Sequence, residues 1–124
     1  MNKQTLTIWN RQFDLDIVFD VFEGEEVTTQ QQNALKTFVA NASIIDSCKS
    51  NVEQYCIKHS NGQISSVDNI FKYVIPKALF VVRNKNEKRT VAIMCNFKFD
   101  MDHGLAIVFE NESFSEIGEE GLIA

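Results

Sequence analysis

No stretch of this chain approaches the roughly 18 consecutive apolar residues that a membrane-spanning helix requires, and a single proline, Pro76, interrupts its 124 residues. Glycine is scarce, and the five present form neither of the common phosphate-cradling patterns. Cysteine is limited to Cys48, Cys56 and Cys95. An odd number set in apolar periodic segments, with no C-x-x-C pair, predicts buried free thiols and not a disulfide framework. Lys and Arg are missing altogether after Lys98, where seven acids stand.

The formal charge of -5 argues against a phosphate backbone as ligand, because nucleic-acid binding rests on clustered Lys and Arg. That charge is unevenly spread. Residues 1–26 hold six acids against Lys3 and Arg11, while residues 27–98 hold ten basic residues against Asp46, Glu53, Asp68 and Glu87. Both ends are acidic and the centre is basic. At this length, with 44% hydrophobic residues, one domain over residues 1–124 can bury a core without a metal or disulfide staple. Met1-Asn2-Lys3-Gln4-Thr5 leads into an alternating strand pattern instead of a signal-peptide apolar region, so the expected location is the cytoplasm.

Periodicity supplies the elements. Residues 3–9 and 11–22 alternate as half-buried strands, with Phe13, Leu15, Ile17, Phe19 and Val21 on one side and Asp14, Asp16 and Asp20 on the other, and a hairpin turn near Asn10. Thr28 or Thr29 offers an N-cap for a helix to Asn41, whose Ala34, Leu35, Phe38, Val39 and Ala42 share a stripe. A second helix carries Ile45, Cys48, Val52, Tyr55, Cys56 and His59, and Asn61-Gly62 ends it. A short helix over 67–75 is expected to stop at Pro76. Strands then run from Ala78 to Arg83 and, after a polar turn through Asn84-Lys85-Asn86-Glu87-Lys88, from Arg89 to Phe99. Leu105–Glu110 and Phe114–Ile117 follow, joined by Asn111-Glu112-Ser113. The fold class is α+β, a mostly antiparallel sheet with a helical hairpin packed on one face.

Three stretches carry a family likeness: Thr28-Thr29-Gln30 on to Tyr55, Ile75-Pro76-Lys77-Ala78-Leu79-Phe80-Val81, and Phe99-Asp100-Met101-Asp102-His103-Gly104-Leu105-Ala106 through Asn111 with Ile117-Gly118. The chain resembles a family of small bacterial domains of uncharacterised function with a strand, an Asp-x-(Asp/Glu)-His-Gly turn, a Leu-Ala strand and a terminal Ile-Gly. Some domains of that kind belong to the wider pool of small proteins encoded beside secreted toxins and serving as their immunity proteins, and the resemblance implies that role as an expectation for this chain. Asp102 stands where that pattern more often has Glu, and Met101 where it often has an aromatic.

Candidate chemistry is sparse. Asp100, Asp102 and His103 gather two carboxylates and an imidazole that could ligate a cation or share a proton, but the loop lacks the later ligands of an EF-hand. A hairpin turn with Asp side chains bonding backbone amides and Gly104 at positive φ fits the same residues. Cys48 and Cys56 are about 12 Å apart along a helix axis, too far to share one ion, and His59 reads as a helix-end residue. Ser65 and Ser66 have no motif around them.

These residues predict a protein-binding module, not an enzyme, without metal, cofactor or catalytic residue. Its contact surface would be Asp14, Asp16, Glu110, Glu112, Glu119 and Glu120, gathered where the two chain ends adjoin in the sheet and facing a basic toxin domain. A site at Asp100, Asp102 and His103 for a small ligand or reaction is the alternative. A homodimer subunit using an unpaired sheet edge is the third reading.

Overall fold

A tight turn decides the first pairing. In the computed structural model, which describes residues 2–83 and 88–123, Trp9 and Asn10 both take positive φ, 49° and 69°, the backbone of a two-residue turn whose twist suits the strands it joins. β1 (Lys3–Ile8) and β2 (Arg11–Phe19) pair antiparallel through it. The indole N–H of buried Trp9 donates to the Ile45 carbonyl at 3.1 Å, pinning the turn to the helical layer.

Helix α1 (Thr29–Ala40) starts from a capping box: Thr28 Oγ1 accepts the Gln31 amide N–H, and Gln31 Oε1 accepts that of Thr28. The rest of the buried Gln31 side chain does a second task. Its Nε2 donates to the carbonyls of Asp20 at 2.9 Å and Val81 at 3.3 Å, tying the cap to the strand ends below. The periodic stretch from Ile45 does not begin as α-helix. Ala42–Cys48 is a 3-10 segment, and α2 occupies Lys49–Lys58.

Residues 67–75 hold one 3-10 turn at Ile70–Lys72, and β3 then runs Val74–Val81 straight through Pro76. The expected stop at Pro76 is thus overturned, and so is a strand beginning only at Ala78. The register shifts between Pro76 and Ala78, and a bulge is one of the few places where a sheet admits proline. β4 (Thr90–Phe97), β5 (Leu105–Glu110) and β6 (Ser113–Gly118) complete the sheet. Asn111 and Glu112, at φ 48° and 61°, make the last turn without Ser113. Of the polar turn expected at 84–88, residues 84–87 lie outside the described residues.

Strand order follows the chain, β1-β2-β3-β4-β5-β6, with β2 and β3 parallel and every other pair antiparallel. The fold is α+β with a mostly antiparallel sheet. α1 contacts β3 and β4, α2 contacts β6, and the 3-10 segment between them touches β1 and β6. Buried helical residues Ala34, Phe38, Ile45, Cys48, Val52 and Cys56 join Leu15, Leu79, Ile93, Phe97, Leu105, Ile107 and Phe109 in one core. A smaller cluster of Ala92, Met94, Ala106 and Val108, with Ala78, Phe80 and Ile123 against it, sits on the other face. No helix of the described residues is long and apolar enough to cross a membrane.

Candidate functional site

The adjoining of the two chain ends is corrected by the strand order: β1 and β6 form opposite edges of the sheet. The six carboxylates therefore occupy three places. Asp14 and Asp16 project from β2, Glu110 and Glu112 stand at the β5–β6 turn, and Glu119 and Glu120 follow β6 at the other end of that strand. Most are neutralised within the chain. Asp16 pairs with Lys3 at 3.3 Å, Glu110 with Lys88 at 3.4 Å and Glu120 with Lys77 at 3.2 Å. Arg89 donates to both oxygens of Glu112, at 2.8 and 2.9 Å, and Asp14 accepts the Thr5 hydroxyl at 2.6 Å.

Register nevertheless puts several of these acids on one face, because cross-strand partners project to the same side. Asp16 is level with Ala78, Val18 with Phe80, and Glu116 with Val108. Asp14, Asp16, Glu110 and Glu116 thus share the face of the small cluster, opposite α1 and α2. The same face carries exposed apolar groups. Val18 is 43% and Ile75 38% exposed, and Ile75 is level with Asn96. Leu122, 50% exposed, lies against Gly118, where a Cβ would meet its Cδ2 at 2.8 Å. Met101, 64% exposed, joins Ile75, Asn96, Lys72, Tyr73 and Lys98 around an open pocket of about 290 Å³. These apolar contributors were missed in the sequence, although the alternation that turns Asp14 and Asp16 outward turns Val18 outward as well.

The histidine turn is built by backbone bonds. Asp100 N–H donates to the Phe97 carbonyl at 3.1 Å and the Asp100 carbonyl accepts from Gly104 at 2.9 Å. Asp100 Oδ1 accepts the His103 amide at 3.2 Å, the Asx-type bond read from the sequence, and Gly104 takes φ 63°. The side chains also meet, with His103 Nδ1 2.9 and 3.0 Å from the two Asp100 oxygens. That contact holds the Asp100 carboxyl below its usual range and raises the His103 imidazole above its own. Asp102 stays exposed and outside the cluster.

Glu119 takes the place expected of Asp102. The Glu120 amide donates to the His103 carbonyl at 3.0 Å, so the chain leaving β6 is laid along the turn. Asp100, His103 and Glu119 consequently bring one ligating atom each within 4.8 Å of one another. Tyr55 of α2, stacked on His59 at 4.1 Å, is pushed up first by burial and then by the charges of Glu119 and Asp100. Cys48, Cys56 and Cys95 are buried free thiols, the first two pushed up to about 12 and about 11 by burial, which leaves them poor nucleophiles.

A sheet built on neighbouring strands, with its helices inserted between the second and third, defines a small α+β domain. The chain belongs to a family described as a domain of unknown function, DUF6985, whose model matches residues 1–123. Neither the curated proteins nor the solved structures contain a match to it.

Proposed function

We propose that this chain is a protein-binding module of the immunity type, a cytoplasmic protein that covers the active site of a basic toxin domain and performs no catalysis itself. The observation that carries the reading is the composition of the sheet face opposite α1 and α2. Exposed Val18, Ile75, Met101 and Leu122 supply apolar contact there, and Asp14, Asp16, Glu110 and Glu116 stand on the same face. Apolar groups exclude water at a protein contact and fix the dissociation rate, whereas carboxylates around them steer a basic partner and raise the association rate. A helical hairpin on the far side would keep this face stiff. Asp14 and Glu116, with no cation partner among the described residues, contribute most; Asp16, Glu110 and Glu120, each beside a lysine, and Glu112, held by Arg89, contribute less, and Glu119 belongs with the histidine turn.

The test starts from the product of the reading frame immediately upstream, passed over immobilised full-length chain by surface plasmon resonance. A complex is expected. Asp14→Lys with Asp16→Lys should lower its association rate about tenfold at low salt, and Val18→Glu with Ile75→Glu should raise its dissociation rate by about tenfold or more. Absence of a complex, or kinetics untouched by both pairs, overturns the reading. Mass measurement of the free chain separates it from the homodimer alternative.

A further inference from the structure

We propose that Asp100, His103 and Glu119 form a binding site for a first-row divalent transition-metal cation of the Zn²⁺ kind. The donor set fits that chemistry: one imidazole nitrogen and two carboxylates suit Zn²⁺ and its neighbours, and three protein ligands leave a position for water. Mg²⁺ and Ca²⁺ prefer oxygen alone.

Spacing gives a second reason. Two ligands each about 2.0–2.2 Å from one ion are themselves about 3.4 Å apart at the tetrahedral angle Zn²⁺ prefers. His103 Nδ1 lies at hydrogen-bond distance, 2.9 and 3.0 Å, from the Asp100 oxygens, so the pair opens by about half an ångström when an ion replaces the proton it shares. Glu119, exposed and within 4.8 Å of both, closes the third position by rotation of its side chain.

The placement is imposed by backbone, independently of these side chains. Asp100 is held by the Phe97 carbonyl and holds Gly104, while the Glu120 amide holds the His103 carbonyl. Gly104 suits the turn through its φ of 63°, and its missing Cβ leaves room for the Glu120 side chain, whose Oε1 would lie 2.6 Å from it. Charge supplies a further reason. Among the described residues Asp100 has only His103 as an ion-pair partner and Glu119 has none, whereas Asp16, Glu110, Glu112 and Glu120 each have a Lys or Arg. The negative field of both reaches Tyr55. A dication neutralises what the chain leaves uncompensated, and its binding releases a proton from the histidine.

Isothermal titration of the untagged full chain with Zn²⁺ at neutral pH should give one ion per chain. His103→Ala and Glu119→Gln should each weaken it by at least about 10- to 100-fold, the range for loss of a mere outer-shell partner, Asp102→Asn should leave it within about threefold, and excess Mg²⁺ or Ca²⁺ should not compete. Proton NMR should show the His103 ring resonances moving on titration while those of His59 stay in place. All three side chains are on the surface, and circular dichroism confirms that the variants are folded. Failure to bind one equivalent overturns the proposal, as does binding that survives His103→Ala. These outcomes are read on the free chain, so they stand or fall apart from the capture of a protein by the sheet face that Met101 and Leu122 border.

Discussion

The two faces of the sheet use alternate residues of the same strands, yet they are filled differently. On the helical side Phe38, Phe97, Phe109, Ile93, Leu105 and Ile107 are essentially without exposure. Across the sheet the small cluster rests on Ala78, Ala92 and Ala106, with Phe80, Met94 and Val108 filling between them. Helices supply partners for large side chains. Where they are lacking, short side chains are shielded by their neighbours, and large ones at the margins, Val18 and Ile75, remain in solvent. The contrast separates the half of the molecule that holds the fold from the half available for contact.

The largest effect that sharpens this contrast comes from Phe38→Ala. Phe38 is fully buried and its ring lies 5.1 Å from that of Phe109, joining α1 to β5. Truncating it should cost about 3–5 kcal/mol through lost transfer energy and an unfilled cavity, measured by urea denaturation. A loss near the surface range would mean that the helical layer does not carry the core.

His103→Ala should act through pH. The imidazole is raised by Asp100, so its contribution is fully present below its usual 6.5 and disappears as pH rises through the raised value. The Asp100 carboxyl is lowered, so its contribution is present above its usual 3.8 and disappears as pH falls through the depressed value. Wild type should therefore exceed His103→Ala most between 3.8 and 6.5, and the two should converge at alkaline pH. Thermal melts across that range check it; a difference that ignores pH removes the ion pair from the account.

Smallest of all, Val18→Thr on the open face should leave stability within about 0.5 kcal/mol, since no enclosed cavity is made. A drop of several times that size would show that Val18 is part of a packed interior, and the contrast between the faces would fail.

Much of this architecture was legible because it is local. Thr28 or Thr29 stood out as the cap, of which the structure uses Thr28, Leu105–Glu110 stood out as an unbroken apolar run, and Cys95 shared its face with Val91, Ile93 and Phe97 by simple alternation. Pro76 misled, because nothing in the sequence marks a bulge that tolerates a proline inside β3. The 3-10 segment Ala42–Cys48 keeps near-helical spacing and hides inside a helical pattern. The histidine turn was read as a turn, but its second carboxylate was assigned to Asp102, the nearer in sequence. Glu119 arrives only because β6 ends beside His103, a fact of tertiary path that no spacing rule contains. The supposed meeting of the chain ends failed for the same reason.

The parallel seam between β2 and β3 carries one more consequence. β3 to β6 can zip together as a meander of neighbours, each pairing closing a short loop. The N-terminal hairpin reaches the sheet only where Asp16 comes level with Ala78, after the whole helical insertion has been gathered in, and that closure entropy is lost before its contacts form. This topology predicts an order of assembly, the C-terminal strands early and the hairpin late. Truncating Ile107 should slow refolding, whereas truncating Leu15 should chiefly hasten unfolding.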